Sequence, residues 1–296
     1  MKKVLVLGGT QFFGKKLVNR LLENNIDVTI STRGKTADPF GSNVERIELD
    51  RSDLASYKKV FESGYYDVVF DQTCYSPLEA KAAFEALKGK IGQYVFTSTM
   101  AVYDFGTELK ELSFQPEAYS IHLIKPREQY FGLKGYQEAK RLAEAYLFQY
   151  ADIPVAALRF SLVIGEDDYT RRFQGHIKKL KNEETIGIHN PDLRYSFISS
   201  DDAAGMLYHA GANKLEGSYN AAFEESISLK ELIQLMEKAT GKKANLTTEI
   251  SSENLSPYSM GDSLAISPEK AQNTGYMFKK LYPFLENLSD YYAHKE

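Results

Sequence analysis

Short apolar runs alternate with amphipathic stretches through the first half of the chain, the pattern of consecutive strand–helix–strand units. Val4 to Leu7 predicts a buried strand, Phe12 to Glu23 a helix with Leu17, Val18, Leu21 and Leu22 on one side, and Val28 to Ile30 the next strand. The rhythm repeats: a strand at Val44 to Leu49, a helix at Asp53 to Glu62, a strand at Val68 to Phe70, a helix at Pro77 to Leu87, a strand at Tyr94 to Thr97. A helix over Tyr136 to Tyr150 and a strand over Val155 to Phe160 complete six strands. Right-handed crossovers then give a doubly wound parallel α/β sheet of the Rossmann type. Between strand five and that helix, Asp104 to Gly135 is long and irregular, with Pro116, Pro126, Gly132 and Gly135. Loops of that length in a compact domain usually serve function, so this one is expected to face the ligand.

Past Gly165 the alternation loosens. A basic amphipathic helix is expected from Tyr169 to Lys181, a short strand at Thr185 to Ile188, another at Tyr195 to Ile198, a helix from Asp201, and a helix from Leu229 to Thr240 ended by Gly241. No low-complexity linker separates the halves. The expected organisation is a sheet domain over 1–165 and a smaller C-terminal α/β lobe over 166–296, mainly substrate-binding, with some segments returning to the sheet.

Composition narrows the function classes. With 296 residues, 36 Lys+Arg against 40 Asp+Glu and 43% apolar residues, the chain has the balance of a soluble globular protein with a large core. A net charge of −4 without a basic block argues against nucleic acid as the main partner. The single cysteine, Cys74, allows no internal disulfide, and neither CxxC nor HExxH occurs, so no metal site is expected. The apolar run after Met1 is too short for a signal peptide or a membrane span, which points to a reducing, cytoplasmic setting without a membrane partner.

Candidate chemistry begins where strand one runs into Gly8-Gly9-Thr10-Gln11-Phe12-Phe13-Gly14 and then a helix. Backbone N–H groups and the positive helix end converge there on a place for a pyrophosphate. The same residues nearly spell a nucleoside-triphosphate loop, but Lys16 stands where a Ser or Thr hydroxyl should hold magnesium, so a dinucleotide is the better match. The carboxyl end of strand two, Ser31-Thr32-Arg33-Gly34-Lys35, lacks the acid that would read a ribose 2′-hydroxyl. Ser31, Arg33 and Lys35 suit a 2′-phosphate instead, which favours NADP over NAD.

Tyr-x-x-x-Lys puts a phenol and an ammonium one helical turn apart, where the cation stabilises phenolate and so makes a proton donor or acceptor. In a chain with 20 tyrosines the pattern recurs, at Tyr130/Lys134, Tyr136/Lys140, Tyr276/Lys280 and Tyr291/Lys295, so position must choose. Tyr136 and Lys140 begin the helix after strand five, beside the apolar stripe of Ala139, Ala143, Tyr146, Leu147 and Tyr150. Strand five itself ends Thr97-Ser98-Thr99, and one of these hydroxyls could bond a reacting substrate oxygen.

With these pieces in order on one sheet, the chain resembles the extended short-chain dehydrogenase/reductases of the NAD-dependent epimerase/dehydratase family over nearly its whole length. Val6 to Gly14, Thr97 to Tyr103, Tyr136 to Lys140, Leu158-Arg159-Phe160 with Gly165, and Phe197 to Ala204 carry the resemblance. It implies that Thr99 is the catalytic hydroxyl, Tyr136 the acid/base, and Lys140 the holder of the nicotinamide ribose. It also implies that Asp50 and Arg51 contact the adenine and that Arg194 contacts the diphosphate of a nucleotide-sugar substrate; a homodimer is one assembly the chain could form. Two departures stand out: Gln11 replaces the middle glycine of the usual turn, and Asp71-Gln72-Thr73-Cys74 replaces the usual alanine-rich stretch after strand four. The turn also resembles an atypical branch that includes chloroplast stem-loop RNA-binding proteins. An NAD(P)-dependent oxidoreductase, epimerase or dehydratase is therefore the leading expectation, and a non-catalytic, dinucleotide-gated binding or regulatory protein the alternative.

Overall fold

The computed structural model describes residues 1–53, 56–57, 61 and 64–295. Most of the helix expected over Asp53 to Glu62 lies outside the described residues. The chain divides into two compact units, the first comprising 1–103, 111–160 and 203–220, the second 104–110, 161–202 and 221–296.

The first unit is built on a sheet that, among the described residues, has seven strands: β1 Lys3–Leu7, β2 Asp27–Thr32, β3 Val44–Glu48, β4 Val68–Asp71, β5 Tyr94–Thr99, β6 Val155–Phe160 and β7 Gly217–Ala221. Their spatial order is β7-β6-β5-β4-β1-β2-β3, and β1 to β6 run parallel. Val4, Leu5 and Val6 are fully buried because helices cover both faces, which is why β1 reads as a continuous apolar run rather than an alternation. The order reverses between β1 and β4, and ligands of such sheets bind at that switch point, outside the carboxyl ends of the strands.

Three helices position the site. Helix α1, Phe12–Glu23, buries Leu17, Val18 and Leu21. Helix α2, Pro77–Leu87, starts on Ser76, whose hydroxyl accepts the Glu79 N–H, with proline in the first turn. Helix α3, Gly132–Tyr150, begins one turn before the Tyr136 start that the sequence suggests. Gly135 makes the early start necessary as well as tolerable: a Cβ there would lie 2.7 Å from the Tyr130 carbonyl carbon, so only glycine lets the incoming chain pass this close. The stretch expected to be irregular holds a short strand, Gly106–Leu109, and three single turns of 3-10 helix before α3. The seventh strand, Gly217–Ala221, had no distinct apolar run to announce it.

The second unit carries helices α4 Arg172–Lys181, α6 Leu229–Thr240 and α7 Leu281–His294; helix α5, Ser200–Ala212, starts in it and continues into the first unit. Ser228 and Glu231 form a reciprocal capping box on α6, and Gly241 closes it in the left-handed conformation. The strand expected over Tyr195 to Ile198 is two strands. Tyr195 pairs with Ile227 and Leu264, whereas Phe197–Ser199 pairs with Leu162–Ile164. Ser196 makes the break, its hydroxyl accepting the Ile266 N–H at 3.0 Å. Among the described residues no helix is long and apolar enough to cross a membrane.

A candidate active site at the carboxyl ends of the central strands

The turn after β1 is made by Gly8 and Gly9, both at positive φ, +109° and +93°. A Cβ on Gly9 would lie 3.0 Å from the side chains of both Val6 and Val18, so glycine is what brings α1 down onto β1. The Gly8 N–H donates to the Ser31 carbonyl at 2.9 Å, tying the turn to the end of β2. Phe12 and Phe13 lie edge to face, and Phe13 continues to Phe160 at the end of β6, 5.6 Å between centroids. Gln11 is the N-cap residue but makes no side-chain cap bond, and the first turn of α1 holds no acid. Beyond Thr10 the turn therefore presents the positive end of α1, with no acid in the helix's own first turn. Gly14 faces the loop after β4: a Cβ there would collide with Gln72 Oε1.

At the end of β2, Ser31 is buried and Arg33 and Lys35 are exposed. The parallel register Thr32↔Glu48 brings acids beside them. The Glu48 carboxyl group lies within 3.5 Å of a Cβ placed on Gly34. Asp50 is held below the usual carboxylate range first by the Ser52 N–H and hydroxyl, then by the charges of Arg33 and Lys35. These acids are 13 to 17 residues downstream of the cations, too far along the chain for pattern reading to associate them.

The loop after β4 is pinned from two directions. Arg51 forks onto Asp71, with Nη2 2.8 Å from Oδ2, and also donates to the Tyr57 hydroxyl and Thr73 Oγ1, each at 3.0 Å. Asp71 is completely buried and accepts the Tyr94 hydroxyl as well. Burial pushes its carboxyl upward, but the Arg51 charge outweighs this and holds it below the ordinary value. Arg51 is thus an internal clamp. On the outer side, Arg127 pairs with Glu79, donates to the Thr73 carbonyl at 3.1 Å, and lies 4.7 Å over the Tyr75 ring. No local signal marks Arg127, because its acid is 48 residues away.

The hydroxyls at the end of β5 separate by function. Ser98 points into the core and donates to Glu144 at 2.6 Å. Thr99 accepts the Ala101 N–H at 3.1 Å, capping the turn Met100–Val102, and keeps its own proton for another acceptor. Helix α3 is fastened along this segment: Lys140 donates to Thr97 O at 2.7 Å, Arg141 to Val102 O and Gln137 to Tyr103 O, each at 2.6 Å. Lys140 also donates to the Cys74 carbonyl at 2.8 Å, is 3% exposed, and lies 4.3 Å from the Phe96 centroid. Burial lowers its pKa, opposed by nearby acidic groups including Asp71, Glu144 and Glu79. Tyr136 is half-buried one turn earlier, its ring 6.3 Å from that of Tyr75. Thr99, Tyr136 and Lys140 therefore share one edge of the first unit, with the glycine turn on the same edge two strands away. Arg194 lies in the second unit, bound to Glu231 at 3.0 Å and to Ser226 Oγ at 3.2 Å.

A buried network supports this edge. One turn past Lys140, Glu144 receives Ser98, Ser218 at 2.9 Å and Arg159, while Arg159 also reaches the Tyr103 hydroxyl at 2.7 Å. The Tyr136-x-x-x-Lys140-x-x-x-Glu144 spacing is the signal that could have pointed to Glu144, since residues four apart share a helix face.

A model of the NAD dependent epimerase/dehydratase family matches residues 4–222. The chain is 25% identical over 257 residues to the chloroplast stem-loop binding protein of 41 kDa b of Arabidopsis thaliana, covering 81% of this chain and 64% of that one, so it spans under two thirds of that relative's length. Among solved structures it is similar to the UDP-glucose 4-epimerase of Thermus thermophilus in complex with NAD, with a TM-score of 0.74 at 18% identity over 99% of both chains. It is similar too to the UDP-glucose 4-epimerase of Thermotoga maritima with UDP-glucose, with a TM-score of 0.71 at 17% identity over 98% of this chain and 97% of that one. At these identities the structural likeness is one of fold.

Proposed function

Since the chain belongs to the NAD dependent epimerase/dehydratase family, we propose that it is an NAD(P)-dependent enzyme that exchanges hydride at a carbinol or ketone carbon of a nucleotide-sugar-like substrate. The observation that carries this reading is Lys140. An ammonium buried to 3% exposure is unfavourable unless partnered, and two backbone carbonyls place two of its three protons. Its position one turn from Tyr136, bonded to the strand that ends in Thr99, is what a proton-transfer site requires, and buried lysines are rare without such a task.

The glycine turn fits a dinucleotide's diphosphate: the first turn of α1 carries no acid, and the buried Gln72 Nε2 has no hydrogen-bond partner. When bound, the nicotinamide supplies the hydride exchange. The protein's own residues handle the proton. Tyr136 takes the substrate hydroxyl proton as the carbinol becomes a ketone and returns it in the reverse direction. Lys140 favours the phenolate by its charge. Thr99, with its oxygen already accepting Ala101 N–H, donates its hydroxyl to the reacting oxygen and fixes its direction. Arg33 would meet a 2′-phosphate, which favours NADP, while Glu48 and Asp50 beside it keep that preference modest.

The relative described as a stem-loop binding protein motivates a second reading, binding without turnover. Four exposed lysines of the second unit face acids, Lys238 with Glu286, Lys242 with Glu183, Lys243 with Glu237 and Lys280 with Glu224, and the chain's net charge of −4 offers nucleic acid no overall attraction. The enzyme reading is therefore preferred. The test is to titrate the cofactor-free protein with NADH and NADPH, then incubate it with NAD(P) and a panel of nucleotide sugars and separate the products. Tyr136→Phe should bind cofactor like the parent and lose turnover at least a hundredfold. Absence of binding to either cofactor would sink the proposal, and binding without turnover of any substrate would support the second reading.

A further inference from the structure

The loop after β4 departs from the pattern the rest of the chain resembles, and its first residue beyond the strand, Gln72, occupies a singular place. Its side chain runs across the mouth of the glycine turn: Cβ lies 3.6 Å from a Cβ placed on Gly8, and Oε1 fills the space that a Cβ on Gly14 would need. Gly14 thus makes room for the Gln72 carboxamide. The Nε2 of that carboxamide is buried with no hydrogen-bond partner. Asp71 pairs in register with Phe96, so the next residues, Gln72 and Thr97, adjoin, and Thr97 Oγ1 is likewise buried without a partner.

A buried amide donor without an acceptor is expensive, and a residue that only filled space here would be better served by leucine. The turn is also short of one feature: its middle position is Gln11, whose bulk keeps an anion farther from the backbone N–H groups than glycine would. We propose that Gln72 is a cofactor-binding residue whose carboxamide N–H donates to the dinucleotide's diphosphate. The inference rests on the dinucleotide reading above and adds to it a side-chain donor from the loop after β4, packed against the first turn of α1 at Gly14.

The experiment is calorimetric titration of the full chain and its Gln72→Leu variant with NAD, ADP-ribose and adenosine. Loss of a hydrogen bond to a charged group should weaken NAD and ADP-ribose by about ten- to a hundredfold and leave adenosine, which lacks the diphosphate, within about twofold. Unchanged or tighter ADP-ribose binding overturns the assignment, since Gln72 would then be a plug. An equal loss for adenosine also overturns it, because the effect would not be on the diphosphate. If the parent chain binds neither NAD, NADP nor ADP-ribose, the dinucleotide reading itself fails. Gln72→Glu, of the same shape but with no donor, is the second variant if Gln72→Leu does not fold, and should weaken ADP-ribose at least as much.

Discussion

Replacing Glu144 with glutamine is the sharpest probe of how the site is held. Both Glu144 and Arg159 are completely buried, so the carboxylate answers to Arg159, Ser98 and Ser218, and the guanidinium to Glu144, the Tyr103 hydroxyl and the Glu111 and Phe114 carbonyls. Glutamine keeps the shape, so no cavity cost enters. What is lost is the counter-charge of a buried cation, and the new amide turns a donor toward groups that already donate. Breaking a buried pair on one side costs about 3–5 kcal/mol. With an unfolding entropy of roughly 2.1 cal/mol/K per residue, this chain has about 0.6 kcal/mol/K, so Tm should fall by about 5–8 °C. Calorimetry at pH 7 measures it directly. The double variant Glu144→Leu with Arg159→Met should melt above the sum of the two single changes, because it leaves no unpaired buried charge, while Ser98, Ser218 and the Glu111 and Phe114 carbonyls still lose their partners. A Glu144→Gln melting point within about 1 °C of the parent, or a double variant as low as the sum of both singles, would refute the reasoning.

Three further outcomes are expected. His176 is buried, stacked on Tyr258 and bonded to Arg172 O and Ser256 Oγ, and burial pushes its pKa down to about 4. In the unfolded chain it protonates near 6.5, so stability present above that pH is lost as pH falls toward 4, by about 3 kcal/mol; His176→Gln should show a shallower fall of Tm over this window, and parallel curves would refute it. Burial, then the nearby Asp71 charge, pushes the Cys74 thiol up to about 12, so Ellman's reagent at pH 8 should find no thiol in the native protein and one after denaturation. Arg33→Ala should lower the ratio of NADPH to NADH affinity by about tenfold, whereas a fall in both affinities alike would place Arg33 away from the 2′-position.

The local pattern was enough for the first six strands of the sheet and the helices Phe12–Glu23, Pro77–Leu87 and Leu229–Thr240, because strands covered on both faces must be apolar throughout and helices must carry a stripe at 3.6-residue spacing, but it missed Gly106–Leu109 and Gly217–Ala221. It placed Phe12–Glu23, Pro77–Leu87 and Leu229–Thr240 to the residue, each marked by a glycine, a proline or a cap. It also singled out Tyr136 and Lys140, since a lysine beside an apolar stripe has no bland explanation. What it could not determine lies in contacts between distant positions: the Ser98–Glu144 bond that separates the roles of two adjacent hydroxyls, the Arg51–Asp71 clamp, Arg127 on Glu79, Glu48 beside Gly34, and Gln72 against Gly14. None of these pairs is periodic in the chain. They arise because parallel strands, joined by crossovers, bring their carboxyl ends to one edge, and only the register of those strands decides which polar groups must satisfy one another there.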